Sequence, residues 1–358
     1  LGLARVGAIT ALINTNLTGE PLRHSIAVSG ADQLILDTDL AANWTEARPD
    51  DSTVTEWLRF DDAPPIATRD LDAELAAVDS APVDKAVRRG MSTRDPLFFI
   101  YTSGTTGLPK AARFSHGRLL SVAVGLQALV GVRRDDRMYV TLPLYHTAGG
   151  VMAVGGSLLA GASVITTRRF SASRFWDHCA DHGATMFQYI GELCRYLVNS
   201  PEHPRERDHS LRVCVGNGVR PDVWPTFRDR FAIPHIVEFY GATEGTASLF
   251  NLDDRVGAIG RLRPGVARRL GIHLVAYDVA ADEIQRDADG HVMPVAPGEA
   301  GEAITRITGL VPFEGYSDEE ATERKILRNA FSEGDTYFRT GDLMRTDEEG
   351  YYLSLIHI

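Results

Sequence analysis

Between Pro96 and Tyr240 the chain alternates short β-rich runs with helical stretches, and no other feature restricts its fold as strongly. The runs are Leu97–Tyr101, Met138–Leu142, Ser163–Thr167, Thr185–Tyr189, Leu211–Val215 and His235–Phe239, bounded by Gly, Pro or Ser. Ser115 reads as the N-cap of a helix through Val130, and Ser171 as that of a helix through His182. A third helix carries Leu193, Leu197 and Val198 on one face and ends before Pro201. Strands that alternate with helices predict an α/β fold with a mostly parallel sheet.

After Gly257 the texture changes. Ile272–Val279, His291–Pro294 and Gly301–Ile307, punctuated by Asp289-Gly290 and Pro297-Gly298, read as hairpins of a small β-rich subdomain. Thr38 to Asp95 is polar, acidic and rich in Ala, Pro and Asp, which predicts a surface segment with short helices. The expected organisation is an incomplete α/β core over 1–256, a β-rich part of the same domain over 257–352, and an atypical tail over 353–358. Leu1 stands where a start would have Met, with an apolar periodicity already under way. Gly350-Tyr351-Tyr352-Leu353 reads as a strand just starting, so both ends are expected to be cut.

Composition narrows the function classes. Lys and Arg number 37 against 48 Asp and Glu, a formal charge of −11, which argues against a protein that works by neutralising nucleic-acid backbones. A local basic pocket for a nucleotide stays compatible with that balance. Cys179, Cys194 and Cys214 form no C-x-x-C pair and are odd in number, as expected of reduced thiols rather than a disulfide framework. Cys194 and Cys214 read most simply as buried small hydrophobes. The most apolar stretch, Leu142 to Ile165, is interrupted by His146 and five glycines, so it reads as buried core rather than a membrane span.

The densest chemical signal is Tyr101-Thr102-Ser103-Gly104-Thr105-Thr106-Gly107-Leu108-Pro109-Lys110, directly after a hydrophobic strand. Gly104 and Gly107 let backbone N–H groups turn toward an anion, the hydroxyls of Thr102, Ser103, Thr105 and Thr106 add donors, and Lys110 adds charge. A Walker A loop counted from Gly104 needs Gly where Pro109 stands and Ser or Thr where Ala111 stands. Both fail, which disfavours a P-loop NTPase.

This string resembles the phosphate-binding signature of the adenylate-forming acyl-CoA synthetase superfamily. Further segments agree in the family's order. Leu142-Pro143-Leu144-Tyr145-His146 resembles its acyl-pocket motif, Tyr240-Gly241-Ala242-Thr243-Glu244-Gly245 its adenine and magnesium motif, and Tyr337-Phe338-Arg339-Thr340-Gly341-Asp342-Leu343 its ribose motif. Ala11–Leu17, Gln188–Leu197 and Gly216–Asp222 resemble the fatty acid transport protein and very-long-chain acyl-CoA synthetase group more narrowly. The likeness runs from Ala11 to Tyr352. It implies the large N-terminal adenylation domain of the acyl-CoA synthetase/luciferase type, mostly parallel α/β layers plus a small β-rich subdomain, without the C-terminal cap domain.

The resemblance implies the following roles. Thr102, Ser103, Gly104, Thr106 and Gly107 would hold the ATP phosphates, with Thr105 and Lys110 taking part in the chemistry. Glu244, with Thr105, would bind Mg²⁺, a hard cation suited to one or two carboxylates plus phosphate oxygens. Thr243 would hydrogen-bond a phosphate. Tyr240 would lie along the adenine with Gly241 allowing close approach, although Tyr240 reads equally as core with its hydroxyl satisfied elsewhere. Asp342 would accept both hydroxyls of the ribose cis-diol. Gly218 and Val219, with Gly216, would form a purine-facing loop, or simply a tight turn. His146 would border the acyl and phosphate sites without an acid–base role. Tyr189 and Gly191 open a helix that would line the acyl pocket, and its apolar spacing is equally that of a core helix.

The implied chemistry joins a fatty carboxylate to the α-phosphorus of Mg·ATP, releasing pyrophosphate, and then transfers the acyl group to coenzyme A, releasing AMP. Fatty acid, ATP and CoA are the expected partners, with no nucleic acid. Family members continue past Gly350-Tyr351-Tyr352 to a hinge and a domain with a catalytic Lys. This chain reads Leu353-Ser354-Leu355-Ile356-His357-Ile358 instead, so poor turnover is expected of the polypeptide as it stands. The competing expectations are a ligase for carnitine, an aryl or another small acid, and an ATP- or acyl-binding fragment without catalysis. The expected location is the cytoplasm, with peripheral membrane contact through sequence upstream of Leu1 left open.

Overall fold

The computed structural model describes residues 2–59, 69–102, 108–243, 246, 248–262, 271–309 and 312–355. They divide into two units, Leu1–Arg118 with Glu314–Glu319, and Leu119–Phe313 with Glu320–Ile358. The first unit carries β1 (Thr10–Leu12), β2 (Gln33–Asp37), β3 (Thr55–Arg59), β4 (Arg69–Asp70), β5 (Pro96–Thr102) and β6 (Lys110–Ser115). Its helices are α1 (Gly19–Ser29), α2 (Ala41–Ala47), α3 (Leu71–Ala77) and the start of α4 (His116–Val130). One sheet has the order β1-β5-β6, the other β2-β3-β4, and only the β5–β6 pair is antiparallel.

A small core forms where the sequence promised only surface. Leu22 and Ile26 of α1 bury against Leu36, Trp44 and Leu58. The Trp44 indole N–H donates to Glu56 Oε1 at 2.6 Å, and Arg48 donates to the same oxygen at 2.9 Å. The stretch 38–95 therefore holds β3 and buried side chains as well as short helices. The large Trp44 indole is part of that core, and its polar edge finds a carboxylate. Ser115 caps α4 as its sequence position predicts, its hydroxyl accepting from the Arg118 N–H at 3.1 Å.

The second unit is built on β7 (Arg137–Val140), β8 (Ser163–Thr166), β9 (Met186–Ile190), β10 (Val213–Asn217), β11 (Ile236–Gly241) and β12 (Ser248–Asn251), in the order β12-β11-β10-β9-β7-β8. All neighbours are parallel except β11 and β12. Its helices are α5 (Gly156–Ala160), α6 (Phe175–Asp181), α7 (Gly191–Asn199) and α8 (Trp224–Arg230). The sheet is buried on both faces, so its strands read as nearly continuous apolar runs. Alternation still sorts the side chains: Met186 packs with Leu126, Val140 and Met152, whereas Phe187 and Tyr189 pack with Phe175, Trp224 and Phe227. Helix α6 starts at Phe175 rather than next to Ser171, whose hydroxyl lies 3.2 Å from that of Ser173 instead of capping a turn.

The apolar stretch from Leu142 forms a π-helix over Thr147–Gly155 that continues into α5, with Val151, Met152 and Ala153 buried. No described helix is long and apolar enough to cross a membrane. Beyond β12 the chain turns antiparallel, through β13 (Gly260–Arg261), β14 (Ile272–Val275), β15 (Tyr277–Asp278), β16 (Glu283–Ile284), β17 (Gly301–Arg306), β18 (Ile326–Arg328), β19 (Thr336–Thr346) and β20 (Tyr351–Ser354). The main sheet has the order β13-β20-β19-β17-β14, with β18 on β19 and a β15–β16 hairpin, which is the β-rich texture expected after Gly257. All three cysteines are free and buried.

Candidate functional site

Ligands of parallel α/β sheets bind beyond the carboxyl ends of the strands. At that end of the second unit's sheet, Gly216 of β10 pairs with Tyr189 of β9 on one side and Glu238 of β11 on the other. Glu238 is only 2% exposed. Its Oε1 accepts from the Val219 N–H at 2.9 Å, and its Oε2 lies 2.8 Å from the Tyr189 hydroxyl, which is also 3.1 Å from the Val237 carbonyl. Burial pushes the Glu238 carboxyl up to about 8. A protonated Glu238 satisfies the whole cluster: it donates to Tyr189, and Tyr189 spends its single hydrogen on Val237. The turn that carries Gly218 and Val219 is thus pinned from below. It is also pinned from the side, since a Cβ on Gly191 would lie 1.7 Å from the Gly218 carbonyl. Tyr189 and Gly191 are both buried, Tyr189 within the aromatic core.

Tyr240 and Asp342 are 102 residues apart and meet: the Tyr240 hydroxyl donates to Asp342 Oδ2 at 2.5 Å. The local cause lies in β19. Glu302 pairs with Leu343 and Ile304 with Arg339, so Ala303 alone faces Thr340, Gly341 and Asp342. The three residues form a bulge, with Gly341 at φ +78°, a conformation few side chains tolerate. Side chains take over the lost ladder bonds. The Thr340 hydroxyl donates to the Ala303 carbonyl at 2.7 Å and accepts from the Asp342 N–H at 3.0 Å. The Lys325 ammonium donates to the Thr340 carbonyl at 3.1 Å, and Glu302 accepts from the Gly341 N–H at 3.1 Å. Tyr240 fixes one Asp342 oxygen while lone pairs on the carboxylate stay able to accept from a diol.

His146 immediately precedes the π-helix, its ring 4.6 Å from that of Tyr145. Burial lowers its pKa, which favours the neutral imidazole. The next residue, Thr147, donates from its hydroxyl to the Thr243 hydroxyl at 3.0 Å, linking the start of the π-helix to the chain just after β11. Gly241 closes β11.

In the first unit, Thr102 and Lys110 are register partners at the loop end of the β5–β6 hairpin. The anion-donor string is therefore a connection between two antiparallel strands. A Walker A loop leads into a helix instead, so this geometry agrees with its exclusion. The Lys110 ammonium lies 5.9 Å from the centre of the Tyr316 ring. Ser103, Gly104, Thr105, Thr106, Gly107 and Glu244 lie outside the described residues, and so do both groups assigned to magnesium. Among the described residues no group of three or more His, Cys, Asp or Glu could hold a metal ion.

Sequence reasoning missed Glu238, Glu302 and Thr147. The available signal was an acid inside an apolar strand, Ile236-Val237-Glu238-Phe239, and an acid just after the Gly301 that opens β17.

Residues 1–304 match the family described as AMP-binding enzyme. The human long-chain fatty acid transport protein 5 is 42% identical over 354 residues, covering 98% of this chain and 51% of that protein. The benzoate CoA ligase of Burkholderia xenovorans LB400 superposes with a TM-score of 0.77 at 21% identity, over 99% of this chain and 65% of that one. ATP-bound MatB from Rhodopseudomonas palustris does so with a TM-score of 0.75 at 22% identity, over 99% and 70%. The chain spans about half the length of the curated relatives it matches.

Proposed function

The chain belongs to the AMP-binding enzyme family, and from that premise we propose that it binds ATP and a long- or very-long-chain fatty acid for activation to the acyl-adenylate, with coenzyme A as the later acyl acceptor. The observation that carries the nucleotide half is the bond between Tyr240 and Asp342, which brings an aromatic face and a diol acceptor into one place. In this reading Asp342 takes the ribose hydroxyls, Tyr240 and the Gly218–Val219 turn take the purine, and Thr243, held by Thr147, takes a phosphate oxygen. Thr102, Lys110 and the residues between them take the remaining phosphates. Mg²⁺ would add positive charge at those phosphates, held by Glu244 and Thr105. Gly191 and His146 belong to the acyl side, while Tyr189, buried in the aromatic core against Glu238, supports the purine turn from below. The human relative, a long-chain fatty acid transport protein, supports a fatty acid as the carboxylate, with the protein in the cytoplasm or at a membrane face.

Two measurements test the reading. AMP titrated against the chain should bind, and Asp342→Ala should weaken it at least about tenfold, the worth of a lost charge-assisted hydrogen bond. Equal affinity in both would remove Asp342 from the site. For the acid, ATP–pyrophosphate exchange with carboxylates of increasing chain length, in a protein extended to the length of the relatives, should favour the long chains. A preference for benzoate or acetate would replace the fatty acid with a smaller substrate.

A further inference from the structure

Glu302 stands at the start of β17, 1% exposed, and nothing in the proposed chemistry uses it. Its carboxylate divides its oxygens between two jobs. Oε2 accepts from Arg339 Nη2 at 2.7 Å, while Oε1 accepts from Arg339 Nε at 3.2 Å and from the Gly341 N–H at 3.1 Å. Arg339 and Gly341 flank Thr340 at the start of the bulge that presents Asp342. The Gly341 N–H has lost its place in the β17–β19 ladder because the register shifts between Glu302 and Ile304. A bulge whose amides must be satisfied by water is free to relax, and the carboxylate at its tip then wanders.

We propose that Glu302 is a positioning residue for the nucleotide ribose: by accepting the Gly341 N–H it holds the Thr340–Asp342 bulge in the one shape that aims Asp342 at the diol. The proposal rests on the reading of Asp342 as the ribose acceptor. Arg339 is the second partner in the arrangement. It balances the buried carboxylate and turns it so that Oε1 faces Gly341. Glu302 itself touches no substrate.

Removing Glu302 alone would strand the Arg339 charge and threaten the fold, so the test uses two charge-neutral pairs. Glu302→Gln with Arg339→Met keeps a side-chain oxygen for Gly341. Glu302→Met with Arg339→Met has the same neutral, apolar partner but no acceptor. Both are titrated with AMP and with 2′,3′-dideoxyadenosine 5′-monophosphate, alongside the parent chain and a thermal melt. The parent should bind AMP more tightly than the dideoxy nucleotide. The Gln/Met pair should keep that preference, and the Met/Met pair should lose about five- to tenfold in AMP affinity with little change for the dideoxy nucleotide. A merely structural role would weaken both nucleotides together, and that result would overturn the proposal. So would a Met/Met pair that keeps the parent's preference. A parent chain that does not distinguish the two nucleotides would instead defeat the ribose reading of Asp342, and the proposal with it.

Discussion

Glu238 shows how far a single side chain can depart from what its letter implies. An acid within an apolar strand has the same composition whether it is ionised and wet or neutral and buried. Only burial in the packed sheet decides for the neutral form, against hydrogen bonds such as that from the Val219 amide, which favour the carboxylate. In the folded chain it keeps its proton up to about pH 8, against an ordinary value of 4.5. The folded state therefore binds more protons than the unfolded state between those limits. Its contribution is full below pH 4.5 and is lost as pH rises towards 8. Across that window the unfolding free energy of the parent should fall relative to Glu238→Gln by up to about 1.4 kcal/mol per pH unit, then level off. Urea unfolding at several pH values would measure it, and parallel curves for the two proteins would refute it. Tyr240 and Asp342 are candidates from the motifs they stand in, and nothing in the sequence joins them; their mutual bond is tertiary. A double-mutant cycle with Tyr240→Phe and Asp342→Asn should give a coupling of about 1–2 kcal/mol in AMP binding. Additive effects would mean the two act separately.

At the scale of elements, the strands of the parallel sheet lie within two residues of where their apolar runs predict them. Periodicity finds a buried strand because both faces demand apolar side chains. It finds boundaries less well. Helix α6 begins at Phe175, three residues beyond where a cap at Ser171 would start it, and the Ser171 hydroxyl lies beside that of Ser173. The bulge in β19 was hidden too, since Thr340-Gly341-Asp342 reads as an ordinary turn until Ala303 is seen facing all three residues. The contact of α7 with the β10 turn makes a sharp test of element packing. Gly191→Ala places a methyl 1.7 Å from the Gly218 carbonyl. It should cost about 1–3 kcal/mol in thermal or urea unfolding, and it should weaken AMP by shifting the turn. Unchanged melting and unchanged affinity would show that the two backbones separate freely.

Across the second unit as a body, the two ends of the parallel sheet carry different work. At the amino ends of the strands, buried Asp136 beside β7 receives the Arg212 guanidinium ahead of β10, at 2.9 Å from Nε, and the Thr185 hydroxyl ahead of β9, at 2.7 Å. Burial pushes this carboxyl up, but those hydrogen bonds and the Arg133 N–H hold it below its ordinary value. Its stabilisation is thus present above about pH 4 and is lost as pH falls below it. Arg212→Met, which leaves the carboxylate buried without its cation, should cost about 3 kcal/mol, read by urea unfolding at neutral pH. A loss below 1 kcal/mol would show that water replaces the guanidinium. At the carboxyl ends the same strands present Tyr189, Gly216 and Glu238 beneath the proposed nucleotide site. The sequence by itself determined the α/β class, the order of the parallel strands' runs along the chain and the β-rich texture after Gly257, and it named candidates for a nucleotide site, because periodicity and short motifs are local. Only the tertiary structure decided which of them touch. The Tyr240–Asp342 bond, the neutral state of Glu238 and the support of Gly341 by Glu302 all depend on side chains from different strands meeting in a water-poor interior, where each polar atom must find a partner.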